Sequence, residues 1–475
     1  MMRVSCGGPG KGALCAGVLA LLCCSTMKPQ SGVIQQPDAY AANDRAPDAR
    51  FKADILVVLA HPDDETIVAA YLAREINDSQ KRVAVVYGTK GGGGNNNVGP
   101  EQAAAMGEIR EIEGRQASGS LGITNVWFLS GHDLASQDVL NSLEYWGHGA
   151  CLEQLVRLVR LTRPSVVLTL LPDFTTGENH GDHQAAGVLA TEAFDMAGDP
   201  TAFAEQISPT HDPDRNGNLT EALRAWQPEK IYYFYNPTHD IFTGQGPQYS
   251  ATEISPSRHE SYGVLAARAF TYHRTQGGDE AERMIERHEA ETSQNQELSE
   301  MMQPVRLIFG KSLVPSSAMD DVFAGVVAGG ISYRPAPGFT AVEYSKPALE
   351  IGDPWSYYRK FWHAHGLDHL ADIAPPEITI KVGGSLTIPL AVENPLDTAI
   401  SIDLSVQAPD GWKVASVTPV SIEPHTRHYL RVQATAPQSK MPGWQQFTVS
   451  ANSRGIGIGT VRVRAELSAG WVAPQ

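Results

Sequence analysis

Four runs of consecutive apolar residues limit the folds open to this chain: ILVVLA (55–60), VAVVYG (83–88), NVWFL (125–129) and SVVLTLL (165–171). A strand without polar alternation has to be covered on both faces, as in a parallel sheet flanked by helices. The intervening stretches carry helical patterns: IVAAYLAREI, residues 101–121, CLEQLVRLVRL from Cys151, and residues 182–197. This alternation predicts an α/β, Rossmann-like doubly wound, mostly parallel sheet. KIYYFY (230–235) reads as a further strand. HESYGVLAARAFTYHRTQ and the Glu/Arg-rich DEAERMIERHEAETSQNQELSEMM read as helical, with the charges of the second turned to solvent.

From about Ala374 the texture changes. EITIKVGGSLTIPLAVEN, ISIDLSVQAP, HYLRVQATAP, WQQFTVSA and GIGTVRVRAEL alternate apolar and polar residues between Gly, Pro and Asn breaks. Short alternating strands at this spacing predict a C-terminal all-β sandwich. The domain reading is therefore a leader at 1–27, a polar linker at 28–50, an α/β domain at 51–347, an aromatic-rich connector at 348–373 and a sandwich at 374–468.

Composition narrows the partners. A chain of 475 residues with a formal charge of −16 has no general field for nucleic acid or anionic membrane. The N-terminus has a basic start (Arg3, Lys11) and a short apolar core, GALCAGVLALLCC, and reads as an export signal. That places the chain outside the cytoplasm, either secreted or held through a lipidated cysteine; both remain open, and such an anchor would be its one link to a membrane. Four of the five cysteines (Cys6, Cys15, Cys23, Cys24) fall in this segment, so no disulfide framework is expected, and Cys151 on an apolar helix reads as a buried structural thiol.

Two motifs carry chemistry. AHPDDE (60–65) follows the first strand, and NHGDHQAAG (179–187) follows the fourth. In a doubly wound sheet both occupy the carboxyl edge, where ligands bind. Asp63, Asp64 and Glu65 suit a helix start, but a histidine with three consecutive acids exceeds what a cap requires. His61, Asp63, Asp64, His180, Asp182 and His183 on one edge offer the imidazole and carboxylate donors of a catalytic zinc site.

On those residues the chain resembles the LmbE-like or PIG-L family of zinc-dependent de-N-acetylases. IREIEGRQASGSLGI (109–123), AGDPTAFAEQ, AWQPEKIYYF and YHRTQ (272–276) are similar to further family segments, so the resemblance covers about residues 51–280. It implies that His61, Asp64 and His183 bind zinc and that Asp63 is the general base. It also implies that His180 polarises or protonates, that Asp182 orients it, and that Arg110 and His273 contact substrate or line the pocket. The implied substrate is an N-acylated amino sugar, a small molecule or glycan. Lys90, in TKGGGG (89–94), departs from the acid that many members carry there, which bears on substrate. The sandwich looks like the NEW3-type domain of bacterial glycan-active proteins, on VENP (392–395) and APDGW (408–412).

Other readings stand beside this one. An amidase acting on a thiol conjugate or small amide keeps the fold and changes the bond. A non-catalytic glycan-binding protein would make the sandwich the working part. A nucleotide-binding fold would need G-x-G-x-x-G where this chain has HPDDE. Asp212–Glu221 has the first half of a calcium-loop pattern but Leu223 at its twelfth position, and reads as a polar turn. Trp412 and Trp444 read as packing residues, as do the aromatics of DPWSYYRKFWHAHGLDH (353–369), whose three histidines show no second metal pattern. Oligomeric state is not legible.

Overall fold

The computed structural model describes residues 48–173, 180–207, 223–236, 242–292, 295–340, 344–371, 373–439, 441 and 443–468. The leader, nearly all of the linker and the Asp212–Glu221 turn lie outside the described residues.

The apolar runs become β1 (Ile55–Leu59), β2 (Val83–Tyr87), β3 (Asn125–Phe128) and β4 (Val166–Leu170), followed by β5 (Lys230–Phe234). A short ribbon, β6 (Gln248–Tyr249) with β7 (Val305–Arg306), precedes β8 (Ile308–Ser312). The main sheet runs β3-β2-β1-β4-β5-β8, parallel except for β8. β1, β2, β4 and β5 are buried along their whole length. The chain winds outward from β1 to β3, then returns to place β4 on the other side of β1. The switch point of the sheet thus lies between β1 and β4, where a crevice opens at the carboxyl edge.

The helices are α1 (Ala69–Asn77), α2 (Ala103–Ser120), α3 (Val139–Trp146), α4 (His148–Thr162), α5 (Gly181–Met196), α6 (Tyr262–Phe270), α7 (Gly278–Glu286), α8 (Gln296–Met301) and α9 (Ser356–Ala364). α6 packs on α1 and α2, while α5 packs on α3 and α4. α5 presses closely on the end of β4: a Cβ on Gly187 would fall 2.3 Å from the Leu170 carbonyl oxygen. The Glu/Arg-rich segment breaks into α7 and α8. No described helix is long and apolar enough to cross a membrane. Cys151 is buried, with its Sγ 3.2 Å from the Trp146 carbonyl oxygen, as a structural thiol should be.

The C-terminal strands are β9 (Ala348–Ile351), β10 (Glu377–Lys381), β11 (Ser385–Asn394), β12 (Ile400–Gln407), β13 (Lys413–Val414), β14 (Val420–Ile422), β15 (Thr426–Thr435), β16 (Gln445–Ser453) and β17 (Ile456–Ser468). They form sheets of order β10-β17-β16-β12-β14 and β13-β15-β11-β9 around an apolar core. Trp412 stacks edge-on against Phe447 in that core, and Trp444 packs under Arg464.

The connector corrects the expected boundary at residue 374. β9 pairs with β11 through Leu390↔Ile351 to Glu393↔Ala348, so residues 348–351 already belong to the sandwich. The chain then returns: Tyr358, Phe361 and Trp362 of α9 join the α/β core, while Trp355 joins the sandwich core. The alternating pattern of a four-residue strand is too short to stand out in an aromatic-rich stretch. The histidines of the connector take separate partners: His363 pairs with Asp368, His365 with Asp195, and His369 Nε2 meets the Phe309 carbonyl oxygen.

Candidate functional site

The loop after β1 is held by its own side chains. Asp64 Oδ2 accepts the main-chain N–H of Ala60 at 3.0 Å and of His61 at 2.8 Å, which leaves Oδ1 facing away from the turn. His183, in the first turn of α5 after β4, brings its Nε2 to 3.1 Å from that Oδ1. His61 Nδ1 lies 3.7 Å from Asp64 Oδ2. Two motifs more than a hundred residues apart therefore meet at the switch point. Ligand atoms about 2.1 Å from a tetrahedral zinc stand about 3.4 Å apart, close to the 3.1 Å between His183 Nε2 and Asp64 Oδ1.

The other edge of His61 faces carboxylates, Asp182 Oδ2 at 3.5 Å and Asp133 Oδ1 at 3.9 Å. The donor atoms of His61, His180 and His183 lie within 4.8 Å of one another, as do those of His61, Asp133 and Asp182. Asp133 Oδ1 is buried without a hydrogen-bond partner. A buried acceptor in that state calls for a proton donor or a cation. The residues therefore fit a divalent metal. A ligating imidazole that keeps its second nitrogen on a carboxylate is a common arrangement, and His61 between Asp64 and Asp182 matches it.

Charges in the cluster follow from these contacts. Burial opposes protonation of His61, but Asp182 and Asp64 outweigh it and raise the ring to about 10 when no cation is present. Burial raises Asp63 above the usual carboxylate range, with Arg110 opposing and Asp64 adding to the rise. Burial and the neighbouring His183 and His61 push His180 down to about 3, so its ring is neutral. His180 caps α5, its Nδ1 accepting the Asp182 main-chain N–H at 3.4 Å. In the neutral ring that bond assigns the proton to Nε2.

Asp63 itself sits at φ 120°, a conformation an L-residue adopts at a cost of about 1–3 kcal/mol and one that concentrates at functional sites. Three contacts hold it there. Its main-chain N–H donates to Glu65 Oε2 at 3.0 Å, its Oδ1 lies 2.9 Å from Arg110, and Arg110 donates to the carbonyls of Pro62 and Gly91. Gly91 has φ 73°, and a Cβ there would strike the Arg110 guanidinium at 2.7 Å. Glu65 is in turn held by the Tyr87 hydroxyl at 2.8 Å and by His273 Nε2 at 2.5 Å.

Asp182 holds His180 through its main-chain N–H, while its carboxylate Oδ2 accepts the Leu134 main-chain N–H at 2.8 Å and faces His61. One expected position changes. His273 is not on the pocket wall. It is fully buried against Glu65, because Glu113 of α2 clamps Thr275 by main chain and hydroxyl and draws the HRTQ turn inward. Arg110 lines the cavity in an ion pair with Asp63.

Asp133 went unnoticed in the sequence, although it follows β3 on the same carboxyl edge, the position that singled out the other two motifs. Lys90 turns outward to Glu108 and Glu111 of α2. The glycine–asparagine run after it forms cavity wall: Gly93 N–H donates to Asp133, and Asn97 N–H to the Thr275 carbonyl. The cavity over the cluster measures about 800 Å³.

Residues 56–194 match the PIG-L family, described as GlcNAc-PI de-N-acetylase. Among curated relatives, the chain is similar to 1D-myo-inositol 2-acetamido-2-deoxy-alpha-D-glucopyranoside deacetylase 1 of Frankia alni. The two are 32% identical over 189 residues, which is 36% of this chain and 59% of the relative. The deacetylase of the same description from Geodermatophilus obscurus is 31% identical over 218 residues, 42% of this chain and 68% of the relative. A third, from Thermobifida fusca, is 28% identical over 162 residues, 31% of this chain and 56% of the relative. The chain thus spans between half and about two thirds of these relatives' lengths.

Proposed function

The chain belongs to the PIG-L family of de-N-acetylases, and from that premise we propose that it is a zinc-dependent hydrolase removing the acetyl group from the nitrogen of an N-acetylglucosamine-containing small molecule or glycan. The observation that carries this reading is the convergence of His183 on Asp64 beside His61, next to a strained aspartate held by an arginine. His61 through Nδ1, Asp64 through Oδ1 and His183 through Nε2 are the residues proposed to hold the metal. A zinc ion there supplies a Lewis acid that makes water acidic and polarises a carbonyl.

The protein's own groups supply the proton traffic. Asp63, its carboxyl raised by burial, takes a proton from the attacking water as that oxygen bonds to the acetyl carbon. His180 presents Nε2–H toward the cavity and stabilises the carbonyl oxygen as it gains negative charge. When the C–N bond breaks, Asp63 returns the proton to the leaving nitrogen, giving the free amine and acetate. Arg110 keeps the Asp63 carboxylate in place through both transfers. Asp182 sets the ring plane of His61.

The reading extends to an exported protein, by the N-terminal leader. The test is acetate release from N-acetylglucosamine compounds by the purified chain, before and after chelation and after zinc is restored. Activity that disappears with the chelator and returns with zinc is expected. Activity indifferent to chelation removes the metal from the reading, and no acetate from any acetamido sugar removes the reaction.

A further inference from the structure

A second cavity, of about 460 Å³, lies at the border of the α/β domain and the sandwich and shares no described lining residue with the one over the His/Asp cluster. The connection from β4 to α5 gives it Asp173, the start of α9 gives Trp355, Tyr358 and Arg359, and β17 gives Thr460 and Arg462. Trp355 belongs to the sandwich core and Tyr358 to the α/β core, so this wall forms only when both cores are in place. The two ends of the β4–α5 connection serve different cavities: Asp173 lines this one, His180 the one over the cluster. The Tyr358 hydroxyl also bonds the side chain of Gln184, the residue after His183. One loop and one helix thus tie the border cavity to the carboxyl edge of the main sheet.

A polar face of the sandwich runs into this cavity. In β12, β16 and β17, Leu404, Val406, Phe447, Val449, Val461 and Val463 pack into the sandwich core, so the alternate residues face outward. Register places Ser405 beside Ser450 and Ser450 beside Thr460; in the next row Gln407 stands beside Thr448 and Thr448 beside Arg462. Ser450 Oγ and Thr460 Oγ1 are 3.1 Å apart. Both rows end on the cavity wall, at Thr460 and Arg462.

Hydroxyls and amides in ordered rows donate and accept hydrogen bonds over a continuous surface. The rows hold no apolar residue to form the centre of a protein interface, and their single charge, Arg462, is too little for a polyanion. A neutral, hydroxyl-rich chain matches them, and the aromatic residues of the cavity add the apolar contact that a sugar ring offers.

Resting on the deacetylase reading for the reaction, we propose that the border cavity and the sandwich rows beside it bind a neutral glycan chain away from the scissile amide, so that the substrate is a polymer or long oligomer of N-acetylglucosamine. A chain held at two places gains affinity that neither place supplies alone.

The experiment measures calorimetric binding of the N-acetylglucosamine disaccharide and hexasaccharide to the zinc-loaded full chain carrying Asp63→Asn, which prevents turnover. Acetate release from both sugars is measured with Asp63 intact. Each measurement is repeated with Gln407→Ala, Thr460→Ala and Arg462→Ala together, all exposed positions whose truncation leaves both cores whole. The hexasaccharide is expected to bind at least about ten-fold tighter than the disaccharide. The substitutions should remove most of that advantage and leave kcat/KM for the disaccharide unchanged. Equal binding of the two sugars overturns the proposal, as does an advantage that survives the substitutions. If neither sugar releases acetate, the deacetylase reading has failed, and the binding comparison still decides the site: a length advantage lost with the substitutions supports it, and none, or one they leave intact, overturns it.

Discussion

Glu65 holds the main chain of Asp63: one oxygen accepts the Asp63 N–H at 3.0 Å while the other lies 2.5 Å from His273. The acid after the two aspartates thus keeps the neighbouring carboxylate in a conformation it would otherwise leave. Glu65→Gln should retain metal and fold but lower kcat by about 10- to 100-fold, since a small misplacement of a reacting group costs about that much. Steady-state kinetics with metal analysis checks it; unchanged kcat would mean that the turn holds Asp63 without Glu65.

Asp63→Asn removes the proposed base and not a ligand. Metal content should stay near that of the wild type while turnover falls by about 100- to 10,000-fold, the usual contribution of general base catalysis. Metal lost together with activity would reverse the assignment of Asp63 and Asp64.

His183 and Asp182 separate ligation from support. His183→Ala should abolish tight zinc binding and with it the zinc-dependent rise in Tm. Asp182→Asn should weaken zinc by only about 10- to 100-fold, as expected of a carboxylate that orients a ligand. Equal losses in the two variants would place Asp182 among the ligands.

α9 ties the connector to the helix that carries His183. Tyr358 bonds the Gln184 side chain, and Trp362 stacks edge-on with Tyr233 at 5.5 Å. Trp362→Ala should destabilise the α/β domain by about 3–5 kcal/mol, the cost of deleting a fully buried indole. A truncation before Ala348 should therefore unfold, whereas one after Ile373 keeps α9 and strips only the partners of β9. Thermal melts of the three proteins decide; a stable product truncated before Ala348 would contradict the packing.

Acid sensitivity has a site outside the His/Asp cluster. Burial opposes ionisation of Asp78, but hydrogen bonds from Ser255, Tyr262 and Ser257 outweigh it and bring its carboxyl down to about 2. A depressed carboxyl stabilises the fold at pH values above its unfolded value near 3.9, and that contribution drains away as pH falls toward 2. Solvent screening limits it to about 1 kcal/mol. Asp78→Asn should flatten that part of the acid limb in a denaturation series from pH 5 to pH 2; an unaltered limb would show that the three bonds carry no charge dependence.

The sequence made the main sheet legible because strands covered on both faces cannot hide their apolar runs, and the switch point followed from their order. It made His61, Asp64 and His183 legible because each stands where such a sheet delivers side chains. Asp133 obeyed the same rule and was passed over, as a lone acid in a loop has no pattern of its own. The place of His273 was misread for another reason: which partner a side chain turns to depends on packing between distant segments, such as the grip of Glu113 on Thr275.

The strand at Ala348–Ile351 and the helix at Ser356–Ala364 lie on opposite sides of the same domain border, so the chain crosses that border three times before the sandwich is complete. A single protease cut in the connector would therefore not release the sandwich as a free fragment. The nicked halves would stay knitted through β9 and α9, and shedding of the C-terminal body would demand that one of the two cores be opened first.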